Sequence, residues 1–134
     1  MGSRPHPDDL STSDIDAVAR RVLIVDDHEV FRALARDLLQ LGGFQVVGEA
    51  VDARSALLAC ERLRPSIVLV DIGLPDSDGF ELAVQLAEQD EAPAVVLTSS
   101  RDSAGYRRRL AKSPACGFIA KVDLSGAALT AVLG

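Results

Sequence analysis

The chain has 134 residues, 48% of them hydrophobic, and a formal net charge of −6. This length and composition support one domain with its own core, and the negative charge argues against nonspecific binding to nucleic acid or to an anionic membrane surface. The polar N-terminus lacks the apolar region of a signal peptide, and no apolar run approaches the roughly 20 residues that span a bilayer. We therefore expect a cytoplasmic protein without direct nucleic-acid or membrane partners.

The two cysteines, Cys60 and Cys116, lie in apolar stretches and lack the CxxC spacing of metal and redox sites. Buried free thiols are the ordinary explanation for such residues in a reducing compartment. We predict that both thiols are buried, unpaired and uninvolved in metal binding.

The sequence divides into an N-terminal extension and one folded domain. Residues 1–19 are polar and contain Pro5 and Pro7, which favours a flexible segment, whereas residues 20–134 form the predicted domain. Short apolar strands are predicted at 22–25, 44–49, 67–70, 94–97 and 116–120. Segments predicted to be helical lie at 28–40, 52–64, 79–89, 102–112 and 123–133.

Two of these helices are expected to begin at an aspartate, because Asp52 and Asp123 stand where an N-cap is needed. In the first helix, large apolar side chains recur at helical spacing. They are Val30, Phe31, Leu34, Leu38 and Leu41. We expect these residues to form the apolar face of that helix.

Regular alternation of strands and helices predicts an α/β fold with a parallel sheet, helices on both faces and right-handed crossovers. Five strands in a domain of this size fit the flavodoxin-like (βα)5 three-layer sandwich. Its strand order is 2-1-3-4-5, and this part of the prediction rests on analogy between folds.

Polar residues directly follow four of the predicted strands. Asp26 and Asp27 follow the first strand, Asp71 the third, Thr98 the fourth and Lys121 the fifth. Because the carboxyl ends of parallel strands share one edge, these side chains are expected to converge in one crevice. Three close carboxylates repel one another unless a proton or cation intervenes, and oxygen ligands suit Mg²⁺. Thr98 and Lys121 are suited to bind a phosphoryl oxygen.

Each of these residues also has an ordinary structural explanation. Asp26 and Asp27 can cap a helix, Asp71 can cap a strand end, and Lys121 can extend from the sheet edge to solvent. Their convergence on one edge favours a functional site over four separate coincidences. His28 is more simply explained as a residue at a helix start than as a ligand, because Mg²⁺ prefers oxygen.

The same residues resemble the receiver domain of two-component response regulators, over about residues 21–134. The match consists of the pair Asp26-Asp27, Asp71 in a D-x-x-L-P-x-x-D-G frame, Thr98, and the Phe118-x-x-Lys121 pattern. The D-D-H motif followed by Phe31, together with the strand at 46–50, resembles the NarL/LuxR-type branch. Receivers of that branch usually precede a helix-turn-helix DNA-binding domain.

The chain departs from that branch in two respects. It ends at Gly134 without a DNA-binding domain, so a single-domain regulator is expected. The connection at 111–117 also differs from the more usual alanine-glycine-alanine entry into the fifth strand.

The resemblance implies a role for each matching residue. Asp71 would be the phosphoacceptor. Mg²⁺ would be held by Asp26, Asp27, Asp71 and the backbone carbonyl of Gly73, while Lys121 and Thr98 would bind the phosphoryl group. The donor would be a histidine kinase or a phosphotransfer protein.

The resemblance also implies a switch. Thr98 would move toward the phosphoryl group, and Phe118 would fill the vacated space. This pair would alter the face formed by the fourth helix, the fifth strand and the fifth helix. In this chain that face would carry the segment 106–109, whose three arginines are otherwise explained as an exposed helix surface.

Three hypotheses follow for the function. The first is a phosphorylated signalling switch, which catalyses only its own phosphorylation and dephosphorylation and is otherwise not an enzyme. Its downstream partner would be an unidentified protein, and it could form a homodimer. The second is an aspartate-nucleophile phosphohydrolase, although the Asp-x-Asp spacing and a cap insertion are missing. The third is a receiver-like scaffold that acts without phosphorylation. A receiver fragment of a DNA-binding regulator is an alternative form of the first.

Overall fold

The structure, a computed structural model, describes residues 20–134, so the predicted N-terminal extension lies outside the described residues. The strands are β1 (Arg21–Val25), β2 (Gln45–Ala50), β3 (Ile67–Asp71), β4 (Ala94–Ser99) and β5 (Gly117–Ala120). The helices are α1 (Glu29–Leu41), α2 (Ala53–Leu63), α3 (Gly79–Ala87), α4 (Arg107–Lys112) and α5 (Gly126–Leu133). Single 3₁₀ turns at Ser103–Tyr106 and Lys121–Asp123 precede the last two helices.

The five strands form one parallel sheet in the order β2-β1-β3-β4-β5, which confirms the predicted topology. One apolar core lies between the sheet and helices α2, α3 and α4, and a second lies between the sheet and helices α1 and α5. All five residues of β3 are buried because the strand is central and both of its faces are covered.

The register of the sheet brings the strand ends level. Asp71 on β3 pairs with Thr98 on β4, and Val25 at the end of β1 pairs with Val70. The backbone N–H of Asp26 continues the ladder by donating to the Ala50 carbonyl at 3.0 Å. The residues at and just beyond these ends therefore share one edge of the sheet.

The apolar face predicted for α1 is only partly buried. The fully buried residues of this helix are Ala35 and Leu39, whereas Val30, Leu34 and Leu41 are exposed. The other two predicted residues, Phe31 and Leu38, are partly buried against the second core.

The predicted helix caps are confirmed at Asp52 and wrong at Asp123. Asp52 accepts from the Ser55 N–H at 2.8 Å, and the Ser55 side chain completes a capping box. Asp123 instead ends a 3₁₀ turn, and Ser125 caps α5 by accepting from the Ala128 N–H at 3.0 Å. The later start follows from Leu124, which is buried in the second core and separates the turn from the helix.

The start of α5 is also fixed by a close backbone approach. A Cβ added at Gly42 would lie 2.5 Å from the Cα of Gly126, and one added at Gly126 would lie 2.6 Å from the Cα of Gly42. Only two glycines allow the end of α1 to approach the start of α5 this closely.

The two cysteines differ, so the prediction of two buried thiols is wrong for one of them. Both are free, but Cys60 is buried on α2 and Cys116 is exposed. Cys116 directly precedes β5, the edge strand, and therefore lies at the margin of the sheet rather than within a core. Burial raises the pKa of the Cys60 thiol to about 11.

Within residues 20–134, no helix has both the length and the apolar character needed to cross a membrane.

Candidate functional site

The buried polar side chains of the described residues cluster at one edge of an otherwise apolar interior. They are Asp26 at 0% exposure, Asp71 at 6%, Thr98 at 1% and Ser99 at 6%. Asp26 directly follows β1, Asp71 ends β3, and the other two end β4. The structure therefore brings together the strand-end residues that the sequence singled out.

Lys121 provides positive charge to this edge. It begins the turn after β5, and its Nζ lies 2.6 Å from Asp26 Oδ2 and 3.5 Å from Asp71 Oδ2. The same Nζ lies 4.4 Å from the centre of the Phe31 ring on α1, in a cation–π contact. One largely buried ammonium group thus contacts two buried carboxylates.

This single ammonium does not fully compensate the acids around it. Burial raises the pKa of the Asp71 carboxyl, and the negative charge of Asp26 raises it further. Lys121 and the backbone N–H of Gly73 act in the opposite direction but do not cancel the rise. The ionised form of Asp71 therefore needs further positive charge nearby.

The outer rim of the site is formed by Asp27 and His28. The His28 Nδ1 lies 2.9 Å from Asp26 Oδ1 and 3.2 Å from Asp27 Oδ1. His28 is the N-cap residue of α1, as expected for a helix start, but its side chain makes no capping bond. The sequence analysis did not predict that the imidazole lies between the two carboxylates. The adjacency of the three residues in the D-D-H motif was the one sequence feature that pointed to it.

Four side chains at this edge each offer one atom suited to a metal ion, and those atoms lie within 4.8 Å of one another. They belong to Asp26, Asp27, His28 and Asp71. Three carboxylates against one ammonium give the group a net negative charge, which fits a divalent cation. Gly73 lies in the loop after β3, with open space where a Cβ would lie, and its carbonyl remains a predicted ligand.

Thr98 carries an unsatisfied hydrogen-bonding group. Its Oγ1 is buried and has no hydrogen-bond partner among residues 20–134. A buried hydroxyl without a partner costs free energy, and this one belongs to the residue paired with Asp71 in the sheet. Its chemistry fits an anionic oxygen bound next to Asp71.

The predicted switch residue Phe118 belongs to an aromatic cluster beside the site. Tyr106 lies between Phe80 and Phe118, with ring centres 6.0 Å and 6.2 Å away. Its hydroxyl is 3.3 Å from the Ser99 Oγ. This cluster therefore connects β5 to the residue that follows Thr98, a contact that was not predicted.

The arginines of the segment 106–109 are not all free. Arg109 pairs with Asp78 at 2.8 Å, and its guanidinium lies 4.1 Å from the centre of the Phe80 ring. Arg107 and Arg108 are exposed, as expected for a solvated helix surface.

Residues 22–132 match the family model described as the response regulator receiver domain. The chain belongs to this family. Receiver domains bind Mg²⁺ at an acidic pocket and interact with histidine kinases or phosphotransfer proteins, and they are generally signalling domains rather than enzymes. The aspartate cluster of this receiver fits that pattern.

The receiver is similar to curated bacterial regulators. It is 40% identical over 94 residues to the transcriptional regulatory protein PdtaR of Mycobacterium tuberculosis, an alignment that covers 68% of this chain and 46% of PdtaR. It is 34% identical over 101 residues to a putative transcriptional regulator of Pseudomonas aeruginosa, covering 75% of this chain and 49% of that protein. The receiver thus spans about half the length of these relatives.

Among solved structures, the receiver is similar to the signal receiver domain of the putative response regulator NarL from Mycobacterium tuberculosis. The TM-score is 0.74 at 30% identity, and the match covers 85% of this chain and 96% of that one. This similarity agrees with the branch that the D-D-H motif indicated.

Proposed function

We propose that this receiver is a Mg²⁺-dependent switch of a two-component phosphorelay, phosphorylated on Asp71. One observation carries the proposal. The buried Asp71 carboxylate shares its edge of the sheet with a second buried carboxylate, a lysine ammonium and a buried hydroxyl that has no partner in the described chain. A purely structural role for Asp71 leaves this costly arrangement unexplained.

The chemistry is transfer of one phosphoryl group to Asp71. A carboxylate oxygen of Asp71 attacks phosphorus, an O–P bond forms, and the bond from phosphorus to the donor's imidazole nitrogen breaks. Lys121, 3.5 Å from Asp71 Oδ2, is placed to pair with the incoming phosphoryl oxygens. Thr98 donates its unpaired hydroxyl to one of them.

The residues suited to hold Mg²⁺ are Asp26, Asp27, Asp71 and the Gly73 carbonyl. The bound ion would neutralise phosphoryl charge during transfer. Hydrolysis resets the switch, since water attacks phosphorus, orthophosphate leaves and the Asp71 carboxylate is regenerated. The receiver acts on itself in both steps and needs no substrate pocket.

The output surface is the α4-β5-α5 face, which includes residues 106–109. A phosphoryl group adds about −1.5 to −2 charge, and movement of Thr98 toward it opens space for Phe118. Tyr106 contacts Phe118 and lies 3.3 Å from the hydroxyl of Ser99, the residue after Thr98. A shift between two packings of these residues would change how the face binds a downstream protein.

Exposed apolar side chains close in sequence to the site residues suit a protein phosphodonor. Val30 on α1 precedes Phe31, whose ring contacts Lys121, and Leu34 lies one turn later. Val122 follows Lys121 and is 88% exposed. Contiguous exposed apolar surface marks protein-binding sites, so we propose that these residues form an apolar patch on which a histidine kinase or phosphotransfer protein docks.

A second form of this function is favoured by the length of the relatives. Because the receiver spans about half of the matched regulators, it is also a candidate input domain of a transcriptional regulator. In both forms the receiver domain comprises residues 20–134 and lies in the cytoplasm. We also propose that it can form a homodimer.

The proposal is tested by intact mass after incubation with acetyl phosphate, with and without Mg²⁺. The wild-type chain should gain about 80 Da, the mass of one phosphoryl group, only when Mg²⁺ is present. Asp71→Asn should gain nothing. Asp76→Asn is the matched control, since this loop carboxylate caps α2 through the Ala53 and Arg54 N–H groups and lies outside the site.

Two results would contradict the switch. An adduct that persists in Asp71→Asn would place the modification elsewhere, and a folded wild-type chain that takes no phosphate from acetyl phosphate or a phosphohistidine donor would favour the scaffold. Continuous turnover of p-nitrophenyl phosphate would instead indicate the phosphohydrolase.

A further inference from the structure

The imidazole of His28 occupies a position that a helix start does not require. Its Nδ1 lies within 3.2 Å of one oxygen from each of two neighbouring carboxylates, Asp26 and Asp27. It belongs to the same group of four converging donor atoms as Asp71. An all-oxygen Mg²⁺ site has no use for this nitrogen.

The backbone holds this ring in place. The His28 N–H donates to Asp26 Oδ1 at 2.8 Å, and the Arg32 guanidinium donates to the Asp26 carbonyl at 2.8 Å. Both bonds tie Asp26 to the start of α1 and so restrict the segment that carries His28. Nδ1 donates to the carboxylates in the metal-free chain, and a metal ion would take the place of that hydrogen. The ring is 65% exposed, so its Nε2 edge reaches water and can carry the ring proton when the metal is bound.

The charge of the pocket points to a cation independently of these hydrogen bonds. Asp26, Asp27 and Asp71 face one ammonium, Lys121. A dication is needed to balance them. The donor set of three carboxylates and one imidazole is the kind that Mn²⁺, Co²⁺, Ni²⁺ and Zn²⁺ accept, whereas Mg²⁺ takes oxygen ligands almost exclusively.

We propose that His28 is a ligand for borderline transition-metal dications at this site and contributes little to Mg²⁺ binding. The inference rests on the proposed function, because it uses the same acidic pocket. It makes the metal preference of this receiver depend on one residue outside the aspartate set. His28 therefore raises the affinity for Co²⁺ or Ni²⁺ above what the carboxylates alone provide.

The test is calorimetric titration of the full chain with Co²⁺ and with Mg²⁺ at one fixed pH. Loss of a metal-binding side chain typically lowers affinity by at least about tenfold, so His28→Ala should weaken Co²⁺ binding by that factor and leave Mg²⁺ binding within about twofold. The Co²⁺ absorption spectrum gives a second readout, since loss of a nitrogen ligand should shift its visible bands.

Two variants locate the effect. His6→Ala removes the other histidine of the chain and should leave both titrations unchanged. Asp27→Asn should weaken Co²⁺ and Mg²⁺ binding together, because the two ions share the carboxylates. Circular dichroism melts confirm that each variant is folded.

Equal Co²⁺ affinity and spectra in wild type and His28→Ala overturn the inference while leaving the Mg²⁺ switch intact. The inference also fails if Asp27→Asn leaves Co²⁺ binding unchanged, or if His6→Ala weakens it as much as His28→Ala does, because the ion is then bound elsewhere. Failure of Mg²⁺ itself to bind would count against the proposed function.

Discussion

Lys121 lies closer to Asp26 than to Asp71, with its Nζ 2.6 Å from the first carboxylate and 3.5 Å from the second. The ammonium therefore pairs mainly with the carboxylate that is not the proposed nucleophile. Asp26 is fully buried, so this pairing is a structural requirement as well as a proposed catalytic arrangement.

Removing this ammonium should destabilise the fold. In Lys121→Ala, Asp26 keeps its burial but loses its cation, and breaking a buried pair from one side costs about 3–5 kcal/mol. Urea unfolding should show a loss of that order. Lys112→Ala removes the other lysine of the chain, which is exposed on α4, and should change the free energy of unfolding by less than about 0.5 kcal/mol. Similar effects in the two variants would contradict the pairing described here.

Asp71→Asn should stabilise the metal-free receiver at neutral pH. The pKa of Asp71 is raised in the folded state, by burial first and by Asp26 second, so its ionisation opposes folding. This destabilisation appears as the pH rises from 3.8, the ordinary pKa of an aspartate carboxyl, through the raised pKa of the folded state, and it is absent below both pKa values. The melting temperature of Asp71→Asn should therefore exceed that of wild type at pH 7, and the difference should vanish on acidification.

Divalent metal provides the control for this effect. Saturating Mg²⁺ should raise the melting temperature of wild type and narrow its gap to Asp71→Asn. A variant that is less stable than wild type at pH 7 without metal would show that Asp71 is not under electrostatic strain.

The two thiols should differ sharply in reactivity. The thiolate is the reactive form, and the pKa of Cys60 is raised to about 11 by burial, whereas Cys116 is exposed. Iodoacetamide at pH 8 should alkylate Cys116 in the native chain and reach Cys60 only after unfolding, as peptide mass mapping can establish. Cys116→Ser should then remain unlabelled in its native state, and labelling of that variant at Cys60 would contradict the burial.

The apolar patch beside the site should affect the rate of phosphoryl transfer from a protein donor but not from a small-molecule donor. Val122→Asp places a charge on the exposed apolar surface next to Lys121, so transfer from a phosphohistidine protein should slow by about tenfold, equivalent to about 1.4 kcal/mol of docking energy. Acetyl phosphate labelling should be unchanged. Leu58→Asp alters another exposed apolar residue on α2 and should affect neither reaction.

The topology and the strand-end constellation could be predicted because four of the five strands are short apolar runs that stop at a polar residue. Register then follows from parallel pairing, so Asp26, Asp71, Thr98 and Lys121 had to share one edge. The buried face of α1 could not be predicted in the same way, since its fully buried residues are Ala35 and Leu39, whereas the predicted Leu34 is exposed. Which apolar side chains a helix buries depends on how closely it approaches the sheet.

Two structural relationships could not be predicted from the sequence pattern. The start of α5 depends on Gly42 at the end of α1, and the bridging position of His28 depends on how the chain turns after β1. Neither relationship leaves a periodic signal. The roles assigned to Asp71, Lys121 and the other site residues remain predictions for the experiments above.

The aromatic cluster has a practical consequence, because Tyr106 is the single tyrosine of a chain that has no tryptophan. Ultraviolet emission excited at tyrosine wavelengths therefore arises from one ring, which lies between Phe80 and Phe118 with its hydroxyl beside Ser99. Any repacking around Thr98 and Phe118 alters the surroundings of that ring. The protein thus carries a built-in optical reporter, and the time course of its conformational change can be followed without attaching a dye.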